Sequence, residues 1–106
     1  MTESAKDQQY ARFVSLFARN ERAVRSFARV LMPSGQDVDD VMQEVGLACW
    51  RKFGEFDADG GPGDFVRWAC VVARFEALRH RRNCARNRLV LGADVLEMLA
   101  ADAEAR

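Results

Sequence analysis

The chain has 106 residues, zero formal net charge, 49% hydrophobic and 30% charged residues, the balance of a single globular domain able to bury a core without disulfides or a metal. No run approaches the ~18 consecutive apolar residues of a membrane-spanning helix, and the opening MTESAKDQQY lacks the basic-then-apolar order of a secretory signal, so a cytoplasmic protein is expected. The three cysteines, Cys49, Cys70 and Cys84, form no CxxC pair and stand with one histidine, His80; this set reads as reduced, mostly buried thiols rather than a zinc cluster.

Tyr10, Phe13, Val14 and Phe17 recur at helical spacing and predict a first helix, with Asn20 as a cap or bend. Val24, Phe27, Ala28 and Leu31 continue the pattern in a second helix, closed by Met32-Pro33-Ser34-Gly35. Asp37 reads as the N-cap of the next helix, with Asp40 completing a capping-box-like start. Its apolar stripe is Val38, Val41, Val45, Ala48 and Cys49, and its expected end is near Gly54. Phe56 to Gly63, rich in Gly and Asp, reads as a loop. Asp64 then caps a long helix over about 65–87 whose core face is Phe65, Trp68, Ala69, Val72 and Phe75. A short helix is expected after Asp94, with Glu97 completing a second capping box. With no strand alternation and no repeat, the fold class is all-α, a compact bundle of four to five helices.

The zero net charge hides blocks of alternating sign. Residues 1–36 carry six basic and three acidic side chains, 37–64 two and eight, 65–88 seven arginines and one glutamate, and 89–106 one and four. A chain so arranged can offer an acidic surface to one partner and a basic surface to another.

The acidic block opens with DVDDVMQEVGLACW at residues 37–50. At about 100° per residue, Asp40, Gln43, Glu44 and Leu47 share one side, away from Val38, Val41 and Val45. Capping and dipole complementation account for acids in the first turn, but not for Gln43, Glu44 and a leucine farther along one polar stripe. Such a stripe suits an interface. Asp40 and Glu44 have i, i+4 spacing, yet nothing nearby completes a metal shell, and no nucleophile accompanies the carboxylates, so no catalytic constellation is visible. Glu55, Asp57, Asp59 and Gly60 fit the first half of a calcium loop, but Val66 stands where the closing glutamate belongs. Neither a metal nor another cofactor is therefore expected.

In the long helix Arg67, Arg74, Arg81 and Arg88 recur every seven residues. A step of seven drifts only about 20° on a straight helix, so they form one stripe, widened by Arg79, His80, Arg82 and Arg86. The block 65–88 contains arginine and no lysine. The bland reading is a solvated face, but planar arginine forks are suited to phosphate, and nucleic-acid contact is the preferred one.

An acidic helix, a Gly-rich loop and an Arg-rich helix in this order resemble region 2 of bacterial RNA polymerase sigma factors, of the extracytoplasmic-function type. The residues carrying the match are DVDDVMQEVGLACWRKFGEF at 37–56 and DFVRWACVVARFEALRHRR at 64–82. The first is similar to the family's D-x-x-D-hydrophobic-x-Q-E-x-x-hydrophobic-x-x-W pattern, the second to its F-x-x-W…A-R…A…R-R pattern. The resemblance covers about residues 10–90, as a region 2-like domain over 1–90 followed by an acidic linker helix over 91–106.

The resemblance implies a non-enzymatic transcription initiation factor. Its acidic helix would dock on the clamp helices of the largest subunit of core RNA polymerase through Asp39, Asp40, Gln43, Glu44 and Leu47, with Trp50 beside them. Its loop would capture a flipped base of the minus-ten promoter element through Asp59, Gly60, Gly61, Asp64 and Phe65. Its basic helix would hold the separated non-template strand through Arg67, Arg74, Arg79, Arg81 and Arg82. An anti-sigma factor is a further partner the family admits. Two departures stand out. Many relatives have Asn directly after the Ala-Arg of the long helix, where this chain has Phe75. The family also continues into a helix-turn-helix domain that reads the minus-thirty-five element, which residues beyond 90 do not supply, implying one domain of a longer sigma factor. The alternative is a helical protein–protein adaptor without nucleic-acid binding, which predicts an exposed apolar groove.

Overall fold

The computed structural model describes residues 2–59 and 64–105. They form three helices, α1 (Thr2–Leu31), α2 (Gly35–Asp59) and α3 (Phe65–Ala105), and no strand is present among the described residues. The fold class is all-α as expected, but the helix count is three rather than four to five.

The expected breaks failed for local reasons. Asn20 does not cap a helix: its side-chain amide donates to the Leu16 carbonyl at 2.8 Å, an i−4 bond made from within a helix. Val24 and Ala28 are fully buried on the same helix as Phe13 and Leu16, so packing carries α1 through that position. The stripe itself differs from the expected one. Tyr10 and Val14 are exposed, and Leu16 takes the core position.

Pro33 does separate α1 from α2, but the cap is Ser34 rather than Asp37. The Asp37 amide donates to Ser34 Oγ at 3.2 Å, the Ser34 hydroxyl donates back to Asp37 Oδ2 at 2.6 Å, and the first helical bond runs from the Val38 amide to the Ser34 carbonyl. Asp37 is thus the third helical residue, its amide bonded to the Ser34 N-cap, and Asp40 lies beyond it.

Helix α2 continues past Gly54 to Asp59, so Phe56 to Asp59 are helical rather than loop. Phe53 and Phe56, one turn apart, are both buried. Burying a phenylalanine contributes about 1.5–3 kcal/mol, which outweighs the roughly 0.5–1 kcal/mol cost of glycine within a helix. The glycine-rich residues 60–63 lie outside the described residues.

In α3 no break separates 87 from 94. Gly92 and Asp94 sit within a single helix of 41 residues whose second half is rich in Ala, Leu, Arg and Glu, good helix formers without proline. At about 1.5 Å per residue this one element accounts for the elongated 70 × 32 × 19 Å shape.

The core joins all three helices. Phe13 of α1, Phe53 and Phe56 of α2, and Phe65 of α3 are buried together. Phe13 lies 5.2 Å from Phe53, and Phe56 lies 5.6 Å from Phe65 and 4.9 Å from Trp68, centroid to centroid. This aromatic layer ties the end of α2 to the start of α3. Farther along, Val41, Val45, Cys49, Ala69, Ala73 and Ala77 have no exposed surface. The alanines permit close approach of α3. No helix among the described residues is long and apolar enough to cross a membrane.

Candidate functional site: an acidic face and an arginine face

Helix α2 divides as the spacing predicts. Val38, Val41, Met42, Val45, Ala48 and Cys49 are buried, while Asp39, Asp40, Gln43, Glu44 and Leu47 are exposed. Leu47 is 51% exposed, an apolar tip on a polar stripe. Asp40, Gln43 and Glu44 make no side-chain hydrogen bond or ion pair to another described residue.

Asp39 behaves differently. Its Oδ1 accepts a 2.5 Å hydrogen bond from Arg25 Nη1 of α1, while Arg25 Nε donates to Glu21 at 2.6 Å. Asp39, and after it Glu21, raise the guanidinium pKa of Arg25 further. One of the residues assigned to a partner is therefore already engaged within the chain. Trp50 is half-buried. Its ring meets Tyr10 edge-on at 5.1 Å and Phe13 at 5.4 Å, so it braces α1 against α2.

On α3 the arginines at 67, 74, 79, 81, 82, 86 and 88 are all exposed, and Phe65, Ala69 and Val72 are buried opposite the stripe. Two expectations need correction. Phe75 is not a core residue but is 67% exposed. It lies two residues from both Ala73 and Ala77, which have no exposed surface, and a two-residue step turns the helix by about 200°. With Val71 and Leu78, both exposed, Phe75 therefore shares the side of Arg67, Arg74, Arg81 and Arg82. Phe65, assigned to base capture, is fully buried between α1 and α2. It can support the loop only as packing.

The remaining loop residues are placed in part. Asp64 is exposed just before α3. Asp59 ends α2, and Gly60 and Gly61 fall outside the described residues.

His80 also leaves the basic field assigned to it. It turns toward the start of α2, where its Nε2 lies 2.9 Å from Asp37 Oδ1. The Ser34 hydroxyl, and then His80, hold the Asp37 carboxyl below its usual pKa. The Sγ of Cys84 stands 3.4 Å from the same His80 nitrogen. The 43-residue separation hid Asp37 from sequence reasoning, but His80 and Cys84 at i, i+4 were a legible pair.

An open cleft of about 1250 Å³ lies between the end of α1 and α3, lined by Val30, Met32, Phe75, Leu78, Arg81 and Arg82 among others. Its lining is mostly apolar and includes three arginines, Arg81, Arg82 and Arg88.

The Sigma-70 region 2 family matches residues 16–87, more than two thirds of the chain. The chain belongs to the sigma-70 region 2 family. Among curated proteins it is similar to the RNA polymerase sigma factor NccH of Alcaligenes xylosoxydans xylosoxydans, 38% identical over 56 residues, a match spanning 53% of this chain and 30% of that relative. No solved structure matches. The region 2 match begins at Leu16 and ends at Asn87, so it takes in the acidic face of α2 and most of the arginine face of α3 and stops short of the exposed apolar half of that helix.

Proposed function

We propose that this region 2 chain is the part of an extracytoplasmic-function-type transcription initiation factor that joins core RNA polymerase to melted promoter DNA. The observation that carries the reading is the separation of two unlike faces on two helices. Asp40, Gln43, Glu44 and Leu47 project from α2, the three polar side chains without a hydrogen-bond or ion-pair partner among the described residues, and Arg67, Arg74, Arg81 and Arg82 project from α3.

Acids around one leucine are complementary to a basic helical surface, where charge sets the register and encounter rate. The clamp helices of the polymerase's largest subunit are the surface the family resemblance implies. On α3, arginines give salt-dependent affinity for phosphates. An exposed phenylalanine among them adds a stacking platform for an unpaired base. Phe75 replaces the asparagine expected after Ala-Arg, exchanging a hydrogen-bonding contact for a stacking one. The minus-ten element would be held as single strand, with Asp59, Gly60, Gly61 and Asp64 around the captured base. Residues 91–106 act as a linker helix, and an anti-sigma factor is the expected regulator.

Polymerase docking is tested by measuring affinity for core enzyme with Asp40→Arg and Glu44→Arg combined. A loss of at least tenfold is expected, and unchanged affinity would refute the docking surface. DNA binding is tested by titrating a single-stranded minus-ten oligonucleotide at several salt concentrations. Each phosphate contact should contribute about −0.7 to the log–log slope, and a flat response would remove the arginine face from the interface.

A second reading has one observation in its favour. The cleft lined by Val30, Met32, Phe75 and Leu78 is the exposed groove expected of a helical adaptor. Failure of the oligonucleotide to bind at low salt would favour that reading.

A further inference from the structure

Three side chains of unlike chemistry converge where the first turn of α2 meets α3. The donor atoms of Asp37, His80 and Cys84 all lie within 4.8 Å of one another. His80 Nε2 is central, 2.9 Å from the carboxylate and 3.4 Å from the sulfur. We propose that these residues form a three-donor site for one divalent cation of the zinc class.

The chemistry of the set supports this. Carboxylate, imidazole and thiolate together suit a borderline-soft dication. Donor atoms around a tetrahedral zinc are about 3.3–3.8 Å apart, so the cluster needs only small side-chain rotations to close on an ion. On binding, Cys84 gives up its proton, and its thiolate with the Asp37 carboxylate balances the two positive charges. That balance matters because Arg81, Arg82 and Arg88 line the same cleft.

The framework is rigid in the right places. His80 and Cys84 are one turn apart on α3, and Asp37 is fixed by a 2.6 Å hydrogen bond from the Ser34 hydroxyl to its other oxygen, the outer-shell support that orients a ligating carboxylate. All three residues are partly accessible and line the open cleft. Nothing in the polymerase- or DNA-facing reading uses this cluster. An ion there would pin the start of the acidic helix to the arginine helix.

The test uses the 106-residue chain with zinc or cobalt as the only added ligand. Calorimetry should give one zinc per chain, and cobalt should produce the near-ultraviolet charge-transfer band of a thiolate ligand. Cys84→Ser should abolish the band and weaken zinc at least tenfold, while Cys70→Ser leaves both unchanged. Asp37→Asn keeps the cap geometry and should also weaken zinc. Ser34→Ala, which touches no ion, should cost about 10–100-fold in affinity. Absence of the cobalt band in the unmodified chain, or its persistence in Cys84→Ser, would overturn the proposal.

Discussion

Asp39 of α2 accepts a 2.5 Å hydrogen bond from Arg25 of α1, which is itself bonded to Glu21. The pair crosses from helix to helix at the edge of the acidic face, so Asp39 is engaged within the chain while Asp40, adjacent in sequence, has no partner among the described residues. The Asp39 side chain is 69% exposed, and an ion pair so screened contributes about 0–1 kcal/mol. Asp39→Asn should therefore change unfolding free energy by less than about 1 kcal/mol in a urea titration. It should change affinity for core polymerase by less than about threefold, far below the effect of reversing Asp40 and Glu44.

Phe65 and Phe75 form a second contrasting pair, ten residues apart on α3. Phe65→Ala removes a fully buried ring and should cost about 3–5 kcal/mol in chemical denaturation. Phe75→Ala should leave stability within about 0.5 kcal/mol. It should weaken single-stranded oligonucleotide binding by about 1–3 kcal/mol, the worth of one stacked base. Equal binding by Phe75→Ala and the unmodified chain would take the ring out of the DNA surface.

Cys49 has no exposed surface, and burial pushes its thiol up to about 12 from an ordinary 9.0. A pKa raised on folding means that the unfolded chain loses its proton first. The associated stability is fully present below pH 9 and is lost as pH rises toward about 12, at up to ~1.4 kcal/mol per pH unit. Thermal melts of the unmodified chain should fall more steeply with pH across this window than those of Cys49→Ala. At pH 8 the folded chain should protect Cys49 from alkylation.

Gly92 lies inside α3 with nothing within 4 Å of the position a Cβ would take. Gly92→Ala should stabilise the helix there by roughly 0.5–1 kcal/mol, read as slower amide hydrogen exchange around residues 88–96. Gly46 is more constrained, since an added Cβ would meet Phe17 at 3.7 Å. That is ordinary contact distance, so Gly46→Ala should also fold.

The parts legible in the sequence were those governed by helical periodicity within one element. The α2 stripe of Val38, Val41, Val45, Ala48 and Cys49 is buried as its spacing requires, and the arginines at seven-residue steps share one exposed face. Positions where local preference competes with packing were not legible. Asn20, Gly54 and Gly92 all favour an ending in isolation, yet each sits inside a helix, the first two where neighbouring residues are buried. Phe75 was misplaced because a ring three residues beyond Val72 looks like a core residue until the alanines at 73 and 77 are known to be the contact line. The approach of His80 to Asp37 was out of reach, since a contact between two helices depends on how those helices cross.

The continuity of α3 has a mechanical consequence. Residues 89–101 extend beyond the core as one rod, carrying exposed Leu91, Leu96, Met98 and Leu99 with no joint at Gly92. A rod transmits both direction and phase. Inserting a single residue after Asn87 would advance those side chains by about 1.5 Å and swing them by about 100° around the axis. Whatever those leucines meet is thus indexed, like teeth on a shaft, to the arginine stripe one segment earlier.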